Sequence, residues 1–187
     1  MGQRALLNNA LLCLGLMLTA CATPKPVANF QRDAAYSKKL DRVLVVSMNP
    51  ALVDENVRRH FSSSETDKLI ALLKTRGVEA QMTAVNAKAG DAKDEILQAA
   101  LRFQPHEILY FGPTHGHHRV LMSRGWNSRV LRDTVDNLTF RAKLVDVSTS
   151  RTVWHGDMSY TSEPEPETVA EQLVESLGRD NLLPAAQ

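Results

Sequence analysis

Asp41-Arg42 leads into Val43-Leu44-Val45-Val46, four β-prone apolar residues with no polar interruption. A strand with one wet face alternates apolar and polar residues. An unbroken run is a strand that buries both of its faces. Such a strand needs cover above and below, which points to helices layered on a sheet rather than to an all-β sandwich or a bundle. Met48-Asn49-Pro50 ends the run.

The neighbouring segments fit that frame. Phe61-Ser-Ser-Ser64 followed by Glu65 reads as a helix start, with Ser62 and Glu65 at capping-box spacing. Leu69, Ile70, Leu72 and Leu73 supply its apolar face, and Gly77 stands where a helix-ending glycine belongs. Val78 to Val85 reads as a second strand. Asp91 caps a second helix whose face is Ile96, Leu97, Ala100 and Leu101, and Pro105 forces its exit. Ile108-Leu109-Tyr110-Phe111 is a third strand. Further on, Leu138, Phe140, Ala142 and Leu144 alternate with Thr139, Arg141, Lys143 and Val145, the period of a strand with one wet face. A polar turn from Asp146 to Arg151 joins it to a second long strand, on which Trp154, Met158 and Tyr160 share a face. Val169, Ala170, Leu173, Val174 and Leu177 form a closing amphipathic helix. The predicted order is β-α-β-α-β, then an antiparallel β-hairpin, then α. This is an α/β fold with one mixed sheet packed by helices.

The N-terminus carries a different kind of signal. Arg4 precedes an apolar stretch from Ala5 to Leu18, and Leu18-Thr19-Ala20-Cys21 closes it. A positive start, a short apolar segment and small residues at the cut are the marks of a secretory signal peptide. Leu18-Thr19-Ala20-Cys21 resembles a bacterial lipobox. The resemblance implies cleavage between Ala20 and Cys21, a diacylglycerol thioether on Cys21, and an acyl chain such as palmitate on its amine. Several acyl chains together anchor a protein stably where one does not. Residue 22 is Ala rather than Asp, which resembles the sorting signal of outer-membrane lipoproteins. The expected division is a signal peptide at 1–20, the lipidated cysteine and a Pro-containing tether at 21–40, and a periplasm-facing α/β domain at 41–183. Phe30 and Tyr36 are expected to pack onto the domain edge. Cys13 leaves with the signal, so the mature chain has no second cysteine for a disulfide.

The hairpin Ala142-Lys-Leu-Val-Asp146-Val-Ser-Thr-Ser-Arg-Thr-Val-Trp154, behind a lipobox and this element order, resembles a group of periplasmic lipoproteins. Their fold is similar to the N-terminal domain of the Tol-system periplasmic protein. The group includes the curli-secretion lipoprotein and an activator of a penicillin-binding protein. The resemblance covers roughly residues 41–180 in architecture. No further segment stands out that would supply the transmembrane hairpins of the secretion channel.

Residues 112–137 read as a long basic loop, and long loops are often functional. Arg119, Arg124, Arg129 and Arg132 stand there against Asp133 and Asp136, in a chain whose 22 basic and 21 acidic residues otherwise nearly cancel. Trp and Arg are enriched among interface anchors, so Arg119, Arg124, Trp126 and Arg129 are the candidate partner-binding residues. His115, His117 and His118 offer a second reading, a metal or small-ligand site suited to zinc or copper. On an extended strand His115 and His117 would share one face and His118 the other. Two ligands from this stretch fall short of the four a structural zinc normally takes.

The chain has no GxSxG elbow, Walker loop or GxGxxG, and the serines at 62–64 are accounted for by capping. A formal net charge of +1 gives no field for nucleic acid. The reading is a non-enzymatic, membrane-anchored lipoprotein with no required cofactor, at the outer membrane and facing the periplasm. It would bind an envelope protein through the 112–137 segment or the open sheet edge left by the hairpin. An exposed edge would also allow it to form a homo-oligomer.

Overall fold

In the computed structural model of the protein, residues 27–49, 64–86, 92–125, 128–162 and 164–185 are described. Their elements run β1 (Val27–Arg32), β2 (Arg42–Asn49), α1 (Ser64–Thr75), β3 (Glu79–Asn86), α2 (Ala92–Phe103), β4 (Glu107–Gly125), β5 (Ser128–Asp146), β6 (Arg151–Ser162) and α3 (Pro166–Arg179). The strands make one 6-stranded sheet in the order β1-β6-β5-β4-β2-β3. β2 pairs in parallel with β3 and with β4, and the remaining pairs are antiparallel. The α/β class and the mixed sheet are as the sequence predicts.

The Val43–Val46 run behaves as its composition demands. Val43 and Val45 enter one core with Leu69 and Leu73 of α1 and with Val169, Leu173 and Leu177 of α3. Leu44 and Val46 enter a second core with Ala99 and Phe103 of α2. All four are fully buried. α1 and α3 thus cover one face of the sheet, and α2 covers the other at its β2–β3 side. α1 ends as expected: Gly77 adopts φ 76°, its N–H donates to the Lys74 carbonyl at 3.0 Å, and that of Val78 donates to the Leu73 carbonyl at 3.1 Å. That left-handed step favours glycine. Ser62 and Asp91, the proposed caps, lie outside the described residues.

Four expectations change. First, part of the expected tether is structure. β1 pairs antiparallel with β6, from Val27 opposite Ser159 to Arg32 opposite Trp154. Phe30 stacks on Trp154 with ring centroids 4.2 Å apart, and Tyr36 is buried in the main core. Residues 27–40, expected as tether, thus belong to the folded body. β1 also occupies the edge of β6 that the hairpin was expected to leave open, so the outer strands of the sheet are β1 and β3. Second, α2 is turned relative to its predicted face. Ile96 and Ala100 pack on the sheet as predicted, joined by Ala92, Ala99 and Phe103, while Leu97 and Leu101 are 50% and 61% exposed. Ala99 and Phe103 are buried there beside Leu44 and Val46 of β2. Third, the 112–137 segment is not a loop. Its described parts are the outer lengths of β4 and β5, paired from Gly112 opposite Arg141 out to Gly125 opposite Ser128. Fourth, a long hairpin stands where no additional hairpin segment was expected.

β1 lies close because of Gly156. A Cβ at that position would collide with the Asn29 carbonyl oxygen and with Phe30, so only glycine lets β1 lie down there.

Candidate functional site

The β4–β5 hairpin has an inner and an outer half. In the inner half β4 is flanked by β2 as far as Phe111, and β5 is flanked by β6 as far as Asp136. Beyond that, from His118 opposite Val135 to Gly125 opposite Ser128, the two strands pair, among the described residues, only with each other. The outer half is a two-stranded arm. No described strand flanks either edge, and an unflanked strand edge is a surface to which a further strand can add.

The foot of the arm is polar. Thr114 Oγ1 donates to the Thr139 carbonyl at 3.2 Å, and the Thr114 hydroxyl lies 3.2 Å from His115 Nδ1. Thr139 and Ser159 share a hydroxyl contact at 3.2 Å. Arg141 grips Asp157 with two bonds, 2.8 and 3.1 Å, and the carboxylate raises the already high pKa of the guanidinium. On the other face Phe111 stacks on Phe140, Tyr160 meets Phe140 edge-on, and burial pushes the Tyr160 hydroxyl up to about 12.

The candidate residues are distributed along this hairpin. His115 sits at the foot, exposed, opposite Thr139. His117 lies opposite Asp136, His118 opposite Val135, Arg119 opposite Thr134, and Arg124 opposite Arg129. The register shifts on either side of His115. A two-residue step from His115 to His117 meets a three-residue step from Thr139 to Asp136. The strict alternation that put His115 and His117 on one face is therefore interrupted. Among the described residues no group of three or more His, Cys, Asp or Glu is arranged to hold a metal. Trp126, Ala20 and Cys21 lie outside the described residues.

At the opposite end of the sheet lies a buried polar cluster that the sequence reading did not single out. Glu107 and Asp146 are register partners on β4 and β5, each 1% exposed. Glu107 Oε1 accepts from the Tyr36 hydroxyl at 2.8 Å, and its Oε2 is buried with no hydrogen-bond partner. Burial raises the Glu107 pKa despite that bond, and burial first, then Glu107, raises that of Tyr36. Asp146 has the contrary environment. Lys38 Nζ donates to it at 2.7 Å, with Ser148 Oγ at 2.5 Å and Thr149 N at 3.0 Å. Those donors hold its carboxyl well below the usual range. The segment from Asp33 to Asp41 thereby ties β1 and β2 across the sheet end. Arg32 reinforces it, donating to the Tyr36 carbonyl and, at 2.6 Å, to the Asp180 carbonyl. The signal was present in the alternation. Glu107 is two residues before Leu109 and four before Phe111, so it falls on the core face of β4.

No helix among the described residues is long and apolar enough to cross a membrane. No protein-family model matches the chain, and no curated protein matches its sequence. Solved structures similar in fold are those of bacterial proteins at low identity. A PelC dodecamer from Paraburkholderia phytofirmans is 15% identical, with 81% of this chain and 95% of that one covered at a TM-score of 0.45. Lipoprotein GNA1162 from Neisseria meningitidis is 16% identical, with 75% and 97% covered at 0.41. TolB from Acinetobacter baumannii is 8% identical, with 82% of this chain and 31% of that one covered at 0.37.

Proposed function

We propose that this chain is a bacterial lipoprotein, anchored through Cys21 in the outer membrane, whose α/β domain acts in the periplasm as a non-enzymatic protein-interaction or envelope-assembly module. The observation that carries the reading is the β4–β5 arm. A lone two-stranded ribbon is marginally stable in water, and its two edges, unpaired among the described residues, are pairing surfaces for a further strand. The arm contains Arg119, and Arg124 and Arg129 pair at its end. The Leu18-Thr19-Ala20-Cys21 lipobox supplies the anchor. A partner strand from an envelope protein, or from a second copy of the chain, would take the arm's edges.

The test has two parts. Palmitate fed to cells is expected to label the protein and to leave the Cys21→Ser variant unlabelled. Equal labelling of both would remove the anchor. A photo-crosslinker placed at Arg119, or at further positions along the arm, is expected to give one discrete adduct in living cells. Absence of adducts along the arm of a folded, lipidated protein would remove the arm as the interface.

A further inference from the structure

α2 carries two leucines that the core does not use. Ala99 and Phe103 turn toward the sheet. Leu97 and Leu101 turn away from it, 50% and 61% exposed. They stand four residues apart, so they are neighbours on the outward side of the helix. Two large apolar side chains left together in water are a surface that contact with another apolar surface would stabilise.

The charges beside them have an order. Asp94 and Glu95 stand in the first turn and Arg102 in the last. Among the described residues none of the three makes an ion pair, and Arg102 Nε donates to the Gln98 carbonyl of its own helix at 3.2 Å. Acid at the start and base at the end suit the dipole of the helix that carries them. They also decide what can be laid against it. A parallel copy of α2 would set acid on acid and base on base. An antiparallel copy sets each acidic turn beside an arginine, and opposes the two helix dipoles.

The leucines obey the same symmetry. Leu97 and Leu101 are centred on Ala99, and Asp94 and Arg102 are centred on Gln98, one residue away. One two-fold axis at that point serves both sets. It brings Leu97 onto the partner's Leu101, Leu101 onto the partner's Leu97, and Gln98 close to its own counterpart. A patch that complements itself about a point is what an isologous dimer requires. An unrelated helix has no reason to carry that symmetry.

We infer that α2 is a self-association surface, on which a second copy of this chain packs its own α2 antiparallel across a two-fold axis. The inference goes beyond the proposed function and depends on neither the arm nor the anchor. One helix per copy makes a small contact, of the weak and reversible class rather than the obligate one.

The experiment follows the full chain, purified in mild detergent, by sedimentation velocity over a wide range of concentration. A reversible monomer–dimer equilibrium is expected. Leu97→Ser/Leu101→Ser should raise its dissociation constant at least about tenfold. Both side chains are half exposed or more, so the urea midpoint should stay where it is. Arg102→Glu alone, or Asp94→Arg/Glu95→Arg alone, should weaken the dimer several-fold. The three changes together should restore it, a reversal that mere weakening of the helix cannot produce. In living cells a photo-crosslinker at Gln98 should join one copy to another, with the adduct mapped to the partner's α2.

Four results overturn the inference. A chain that stays monomeric throughout is the first. A dimer indifferent to Leu97 and Leu101 is the second, and is the result expected if copies meet at the arm instead. The third is a combined charge exchange that leaves a folded chain monomeric. The last is a Gln98 adduct with a different protein alone, which would give this helix face to that protein.

Discussion

The two halves of the β4–β5 hairpin are continuous in backbone and opposite in circumstance. In the inner half Leu109, Phe111, Phe140 and Leu144 are at most 2% exposed, flanked by β2 on one side and β6 on the other. In the outer half the same two strands continue, among the described residues, with only each other as partners. A strand's neighbours and the layers above it decide what a side chain is worth, and backbone pairing alone does not. The inner half is stability, and the outer half is a surface extended away from that stability.

That contrast can be broken most severely inside. Trp154→Ala removes a fully buried ring, its stack on Phe30, and the Nε1–H bond to Asp180 at 2.6 Å. A loss of about 3–5 kcal/mol is expected by urea denaturation. Leu144→Ala, fully buried on the same strand as Leu131, should cost about 2–5 kcal/mol. Gly156→Ala comes next, at about 1–3 kcal/mol, because the added methyl must displace Asn29 and Phe30. Hydrogen exchange should show β1 amides losing protection before those of β5, and an unchanged β1 would contradict the close approach.

A smaller effect depends on pH. The folded-state pKa of Glu107 is raised, chiefly by burial. Its stabilising contribution is complete below the unfolded value of about 4.5 and is lost as pH rises through the folded value. Glu107→Gln keeps an acceptor for Tyr36 and cannot ionise. Its stability relative to the native chain should improve as pH climbs from about 4.5 to 8. A difference that shrinks with rising pH would reverse the assignment. Asp146 works the other way. Its lowered pKa gives stability that is present above its unfolded value and lost as pH falls through the folded one. The smallest effect sharpens the contrast from the outside: Leu131→Ala, in the arm, should cost less than about 1 kcal/mol. A cost equal to that of Leu144→Ala would mean the arm is already packed on something.

The same contrast explains what could be read in advance. Leu138 to Leu144 showed its period of two because a core on one side and water on the other impose it. Val43–Val46 showed its doubly buried run for the corresponding reason. Val120, Leu121, Met122 and Ser123 show no period of two in the sequence, and the glycines and charges around them look like a loop. β1 was illegible for a different reason. Its six residues are stabilised by β6, more than a hundred positions later, and by a glycine whose role is visible only when β1 lies on it. α2 was misread by rotation, because Leu97 and Leu101 outweigh Ala99 in hydropathy while Ala99 packs better. Of the candidate site, the residue types and the segment were legible. Their pairing was not, since register depends on partners in the other strand. The Glu107–Asp146 cluster was readable from alternation and went unread because a lone glutamate at a strand start is ordinary.

The position of β1 also sets an order of assembly. The first strand of the sheet in sequence takes its place beside β6, and Arg32 reaches on to the Asp180 carbonyl beyond the last helix. A chain that emerges N-terminus first holds this strand idle until nearly all of the rest has appeared. Closure then joins the two ends of the domain through contacts of high sequence separation, which slow folding. Until that moment Trp154 and the β6 edge stay uncovered, and a chaperone has a defined place to hold.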